Sequence, residues 1–98
     1  MPVRVGGSVM KANLIHKVNP AYPADAKARR IQGTVTLKVL IDKSGTPTNL
    51  KSVNPDADAS LIAAAIEAVS QWRYKPTLLD GEPVDVATTI DVNFTLTQ

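Results

Sequence analysis

The feature that most constrains the fold is a short amphipathic helix that runs directly into a Trp-Arg-Tyr-Lys-Pro sequence, over residues 61–76. Its apolar residues recur three and four positions apart, which is typical of a helix that packs one face on a core. This stripe consists of Leu61, Ile62, Ala65, Ile66, Val69 and Trp72. Pro76 has no backbone N–H, so the helix ends before it and the chain continues as an extended segment. We therefore expect a core helix with Asp58 as its N-cap and Trp72 buried at its end.

Two other segments alternate apolar and polar residues, which is the period of a half-buried strand. They are residues 34–42 and the final segment, residues 86–96, whose alternation is the clearest in the chain. Residues 48–53 alternate less cleanly, and we expect a returning strand there that contains a bulge or is short and twisted. Gly45, and Asp80 followed by Gly81, predict turns between extended segments.

The remaining segments complete the expected order of elements. Residues 24–30 favour a helix that ends before Gly33. Residues 1–12 include adjacent glycines, and we expect a flexible or irregular segment there, followed by a domain over residues 13–98. The order α-β-β-α-β predicts an α+β fold of two layers. Two helices pack on one face of a small antiparallel sheet of about three strands, and the other face meets solvent.

The composition points away from catalysis and from nucleic acid. Ninety-eight residues make one domain, and eleven basic against nine acidic side chains leave a net charge of only +2. The chain has no cysteine, and its one histidine, His16, has no second base or ligand patterned around it. We expect no active site, no metal, no cofactor and no nucleic-acid partner. The chain also lacks a run of about 20 apolar residues that could span a membrane.

The long C-terminal strand is the candidate binding feature. If it lies at a sheet edge, its backbone from Ile90 to Leu96 can take up an extended peptide as a further strand. The alternative is an ordinary edge that needs only protection, which Asp91 and Asn93 would supply. The alternation of residues does not choose between these two interpretations.

Four motifs occur together in an order and spacing that resemble one known family. They are Tyr22-Pro23, then Gly33-Thr34-Val35, then Ile41-Asp42 followed by Gly45, and then Trp72-Arg73-Tyr74-Lys75-Pro76. With the terminal strand through Phe94, the similarity covers about residues 14–97. The chain resembles the C-terminal domain of the TonB family of energy transducers.

The resemblance implies a non-enzymatic, periplasmic domain of an inner-membrane-anchored protein. The anchor and the Pro-rich linker of the family are absent from this chain, so we expect a fragment. In the family the anchor works with a proton-driven motor complex. The C-terminal domain binds TonB-dependent outer-membrane receptors by pairing its last strand with a receptor segment, the TonB box, and transmits force for active import.

The resemblance also implies which residues bind the partner. They are Asn19, Pro20, Ala21, Thr89, Ile90, Asp91, Val92, Asn93, Phe94, Thr95 and Leu96. Some members carry a glutamine directly before Tyr-Pro, where this chain has Ala21. Two alternatives stay open: a homodimer formed by pairing of edge strands, and an interaction or dimerisation module of another envelope machine, such as a sensor peptidase or a secretion or gliding apparatus.

Overall fold

Three helices and eight strands form in the part of the chain that the computed structural model describes, residues 2–54 and 56–96. In chain order they are β1 (Val3–Arg4), α1 (Gly7–Lys11), β2 (Leu14–His16), α2 (Ala24–Ala28), β3 (Gly33–Ile41), β4 (Pro47–Ser52), α3 (Ala59–Val69), β5 (Arg73–Tyr74), β6 (Thr77–Leu79), β7 (Glu82–Val84) and β8 (Val86–Phe94). The architecture is α+β, as the sequence predicts.

The main sheet has the strand order β1-β8-β3-β4. β3 is antiparallel to both of its neighbours, and it pairs with β8 from Gly33 opposite Phe94 to Ile41 opposite Val86. These three strands are the antiparallel sheet that the sequence predicts. The short β1 adds a fourth, parallel strand beside the start of β8, which the sequence did not predict. Two further pairs, β2 with β5 and β6 with β7, lie outside the main sheet.

The core lies between one face of the main sheet and α3. Alternate residues of β3 and β8 are buried on that face: Val35, Leu37, Val39, Ile41, Val86, Ile90, Val92 and Phe94. They belong to one apolar cluster with Leu61, Ala65, Val69 and Trp72. Burying each Val, Leu, Ile or Phe side chain contributes about 1.5–3 kcal/mol, so this face supplies most of the driving force for folding.

Local signals in the sequence set the boundaries of the predicted elements. The Asp58 side chain accepts a hydrogen bond from the Ser60 backbone N–H at 2.9 Å, which confirms it as the N-cap of α3. Trp72 is buried at the end of the helical stripe, as predicted. The pairing of β3 with β4 shifts register between Lys38 and Leu40, so of the two alternatives expected for the returning strand the structure has the bulge.

The N-terminal segment, where we expect a flexible or irregular stretch over residues 1–12, contains the short elements β1 and α1. The Val3 N–H donates to the Asp85 carbonyl at 2.9 Å and the Val5 N–H to the Ala87 carbonyl at 3.1 Å. One turn of helix follows and buries Met10 in the core. A two-residue strand and a five-residue helix are too short to show periodicity, so the sequence carries no signal for them.

Met1, Pro55, Thr97 and Gln98 lie outside the described residues. The outer limits of the two predicted ranges, 1–12 and 13–98, therefore stay predictions.

Candidate partner-binding edge

Successive residues of β8 direct their backbone groups to opposite edges of the strand. The carbonyls of Asp85 and Ala87 accept hydrogen bonds from the β1 segment, so they point away from β3. The Leu96 N–H donates to the Gln32 side chain at 2.9 Å, on the β3 side. It follows from the alternation that Thr89, Asp91 and Asn93 direct their N–H and C=O groups away from β3. We call this side the outer edge of β8.

The chain itself covers only the first part of the outer edge. β1 pairs with Val86 and Ala87. α1 then packs Gly7 against Thr89 so closely that a Cβ on Gly7 would lie 2.6 Å from the Thr89 carbonyl oxygen. Beyond Thr89, within residues 2–54 and 56–96, no strand pairs with the outer edge. The backbone of residues 90–96 is therefore open on that side.

The side chains of the open stretch divide between the two faces of the sheet. Ile90, Val92 and Phe94 are buried on the helical face. Asp91 and Asn93 are exposed on the other face, where their Oδ1 atoms accept hydrogen bonds from the Thr36 hydroxyl at 2.8 Å and the Thr34 hydroxyl at 2.7 Å. Both bonds draw these side chains toward β3 and hence away from the outer edge.

The predicted loop, Asn19 to Ala21, is tethered to the far end of β8 through the next residue along the chain. The Tyr22 ring packs edge-on against the Phe94 ring, with 5.6 Å between centroids and 90° between planes. The Tyr22 hydroxyl donates to the Ile31 carbonyl and so fixes the ring. Asn19 and Ala21 are exposed and Pro20 is half-buried. Among the described residues, however, no hydrogen bond joins residues 19–21 to residues 89–96.

Trp72 anchors the other side of the same loop, a role that the sequence did not reveal. Its indole Nε1–H donates to the Val18 carbonyl at 2.8 Å, and the Lys17 ammonium lies 5.7 Å from the ring centroid. A side chain that bonds a distant backbone carbonyl has no pattern of its own in a sequence. The helical stripe predicts that Trp72 is buried but not which segment it holds.

The open stretch of β8 offers main-chain hydrogen-bond donors and acceptors. Elsewhere in the core, burial raises the pKa of the Tyr74 phenol to about 12. No three metal-binding side chains cluster among the residues that the structure describes. None of its described helices is long and apolar enough to cross a membrane.

Comparison with known proteins shows the family to which this chain is similar. A family model described as the Gram-negative bacterial TonB protein C-terminal matches residues 18–96. Protein TonB of Vibrio cholerae is 34% identical over 80 residues, which are 82% of this chain and 33% of that protein. Protein tonB2 of Pseudomonas aeruginosa is 31% identical over 85 residues, which are 87% of this chain and 32% of that protein. The chain thus spans about a third of the length of these relatives.

Solved structures show the same fold. The solution NMR structure of the Pseudomonas aeruginosa TonB CTD superposes with a TM-score of 0.74 at 22% identity, covering 87% of this chain and 86% of that one. The structure of the tonB2 protein from Vibrio anguillarum superposes with a TM-score of 0.66 at 29% identity, covering 94% of this chain and 88% of that one.

Proposed function

The chain belongs to the family of Gram-negative bacterial TonB C-terminal domains, and on this premise we propose that it is the receptor-binding domain of a TonB-like energy transducer. Its parent protein is anchored in the inner membrane, works with a proton-driven motor complex and places this domain in the periplasm. The domain is not an enzyme. It binds the TonB box of outer-membrane receptors and transmits force for active import.

The open outer edge of β8 is the observation that carries this proposal. On its inner side, β8 is paired with β3 over all nine of its residues, so the strand is held firmly in the sheet. On its outer side, the backbone groups of Asp91 and Asn93 point away from β3 and are uncovered by described strands. A guest strand added there makes hydrogen bonds at every second residue of β8.

Backbone pairing suits the transmission of force to varied receptors. When a guest strand is pulled along its own axis, its hydrogen bonds to β8 carry the load together. Because these bonds involve main-chain atoms, the guest sequence can vary between receptors while the contact is kept. The loop at residues 19–21 supplies a second contact near the Phe94 end of the strand. Since Ala21 has no side-chain amide, that contact depends on backbone groups, Asn19 and the surface of Pro20.

Replacing Asn93 with proline tests the proposal. The variant loses one N–H that points to the outer edge and keeps the pairing with β3, because the Asn93 N–H is not directed at β3. We expect binding of a synthetic receptor box peptide to weaken about 10-fold, the effect of losing one hydrogen bond plus the bulk of the ring. Isothermal titration calorimetry measures the affinity. The matched control Asn93→Ala loses the same side-chain bond to Thr34 but keeps the N–H, so its affinity stays within about twofold of the original.

Two outcomes would contradict the proposal that the receptor peptide pairs with the outer edge of β8. One is an unchanged affinity of the Asn93→Pro variant whose circular dichroism spectrum is native. The other is a titration of the peptide into ¹⁵N-labelled domain in which shifts appear in α2 and the following Arg29 and Arg30 and none appear in residues 89–96. Sedimentation at several protein concentrations distinguishes the homodimer alternative, because pairing between two copies of β8 would raise the mass with concentration and would be reversed by the peptide.

A further inference from the structure

The open face of the main sheet brings two lysines together. Lys38 of β3 lies directly opposite Lys51 of β4. Residues that are opposite in an antiparallel pair share a face, and both lysines are exposed on the side away from the core. Like charges in this arrangement repel and lower the stability of a sheet, although lysines on an edge strand such as β4 also protect it from pairing with other chains.

Lys38 has a second basic neighbour, Arg4, on the N-terminal strand, whereas Lys51 lies on β4, at the opposite edge of the sheet from the outer edge of β8. Arg4 lies opposite Ala87 of β8, and Thr89, two residues further along the same face of β8, lies opposite Lys38. Arg4 and Lys38 line a shallow depression of about 290 Å³ whose floor includes Thr89. We call Arg4 and Lys38 the basic patch.

Within the described part of the chain, the patch lacks acidic partners. The ion pairs found there both belong to Arg29, which bonds Asp25 at 2.9 Å and lies 3.7 Å from Asp58. On the open face of β8, the Asp91 carboxylate accepts a hydrogen bond from Thr36 rather than contacting a cation. The positive charge of the patch therefore faces solvent next to the point where the outer edge becomes open.

We propose that the basic patch binds carboxylate side chains of the polypeptide that docks on the outer edge of β8. This inference rests on the proposed function. A guest strand beyond Thr89 continues the line of β1, so the end of the guest that lies next to Thr89 approaches the patch. The patch therefore selects partners that carry acidic residues at that one end. Charge at the opposite end, near Phe94, has no such contact.

Three versions of a synthetic receptor box peptide test the inference. One carries three aspartates before the box, one carries three aspartates after it, and one carries asparagines at both positions. We expect one of the two aspartate peptides to bind about five-fold more tightly than the asparagine peptide at low salt, as two exposed ion pairs would produce. The preference disappears at about 0.5 M salt, where screening acts over a few ångströms.

The double variant Arg4→Gln/Lys38→Gln is expected to lose this preference while it binds the asparagine peptide as the original protein does. The matched control is Lys27→Gln/Lys43→Gln, which removes the same charge from exposed positions on α2 and in the turn after β3. The control keeps the preference, because net charge alone is not what the peptide recognises.

The outcomes separate this inference from the proposed function. If all three peptides bind equally, if both aspartate peptides gain equally, or if the control loses the preference as much as the patch variant does, the patch has no specific role and edge docking still stands. If no peptide binds the original protein, both proposals are overturned.

Discussion

Gly45 is the glycine at which the structure leaves the least room for a side chain. Its φ is +89°, and a Cβ at this position would lie 1.9 Å from the carbonyl oxygen of Tyr74. In the opposite direction, the Tyr74 N–H donates to the Gly45 carbonyl at 2.9 Å. The turn between β3 and β4 is thus joined to the strand that follows the core helix. The sequence predicts a turn glycine here, but not the contact with Tyr74, because the two residues are far apart in the chain.

We expect Gly45→Ala to destabilise the fold by about 3 kcal/mol or more, since it adds both a strained φ and a backbone clash. Gly81→Ala is the matched control. Gly81 also has a positive φ, +82°, but its Cβ would meet nothing within 4 Å. Gly81→Ala should lower the free energy of unfolding by about 1–2 kcal/mol, which is the cost of the strained φ alone. Urea denaturation followed by circular dichroism measures both. Equal losses in the two variants would show that the Tyr74 contact relaxes at little cost.

The start of α3 depends on the charge of its cap. The Ser60 hydroxyl and the Ser60 backbone N–H both donate to Asp58 and hold the pKa of that carboxyl below its usual 3.8. Because the folded-state pKa is the lower one, this cap stabilises the fold above pH 3.8, and the stabilisation is lost as the pH falls through the folded-state pKa.

Two variants at Asp58 separate the cap from its charge. Asp58→Ala removes the acceptor, so its urea midpoint should lie below that of the original protein at neutral pH. Asp58→Asn keeps an acceptor without a titrating group. Its midpoint should therefore fall less than that of the original protein between about pH 5 and pH 2. Parallel pH profiles of the original protein and Asp58→Asn would mean that the charge of Asp58 adds nothing to the cap.

The elements that the sequence predicts are those long enough to repeat a pattern. β3, α3 and β8 each span nine residues or more, and their alternation or helical stripe marks which face is buried. β1, α1 and β5 span two to five residues and exist because of contacts with distant segments. For the candidate site, the alternating pattern and the family resemblance predict that the C-terminal strand, β8, binds the partner. They do not predict that β1 and Gly7 cover its first part, since that depends on where the N-terminal segment docks.

On the scale of the whole molecule, the N-terminal segment and the rest of the domain share one core. Met10 is 1% exposed and belongs to the same apolar cluster as Trp72 and Tyr74. Its neighbour Val9 is 60% exposed. Because Met10 packs in this core, we expect residues 3–11 to unfold together with the sheet rather than as a loose extension.

Met10→Ala should therefore lower the free energy of unfolding by about 2–3 kcal/mol, the usual cost of emptying a buried methionine site. Val9→Ala, the matched control, should change it by less than about 0.5 kcal/mol. Urea unfolding is followed in parallel by circular dichroism and by Trp72 fluorescence, and the two transitions should coincide for a single cooperative unit. A Met10→Ala variant as stable as Val9→Ala would mean that the segment is held outside the cooperative unit.

The contact between Tyr22 and Phe94 links the first motif of the chain to its last strand. Two rings that pack edge-on cannot change size or polarity independently, because each defines the cavity that the other fills. A substitution at one position therefore alters which residues are acceptable at the other. In a lineage of such domains, these two sites are expected to covary as an epistatic pair, although most of the sequence lies between them.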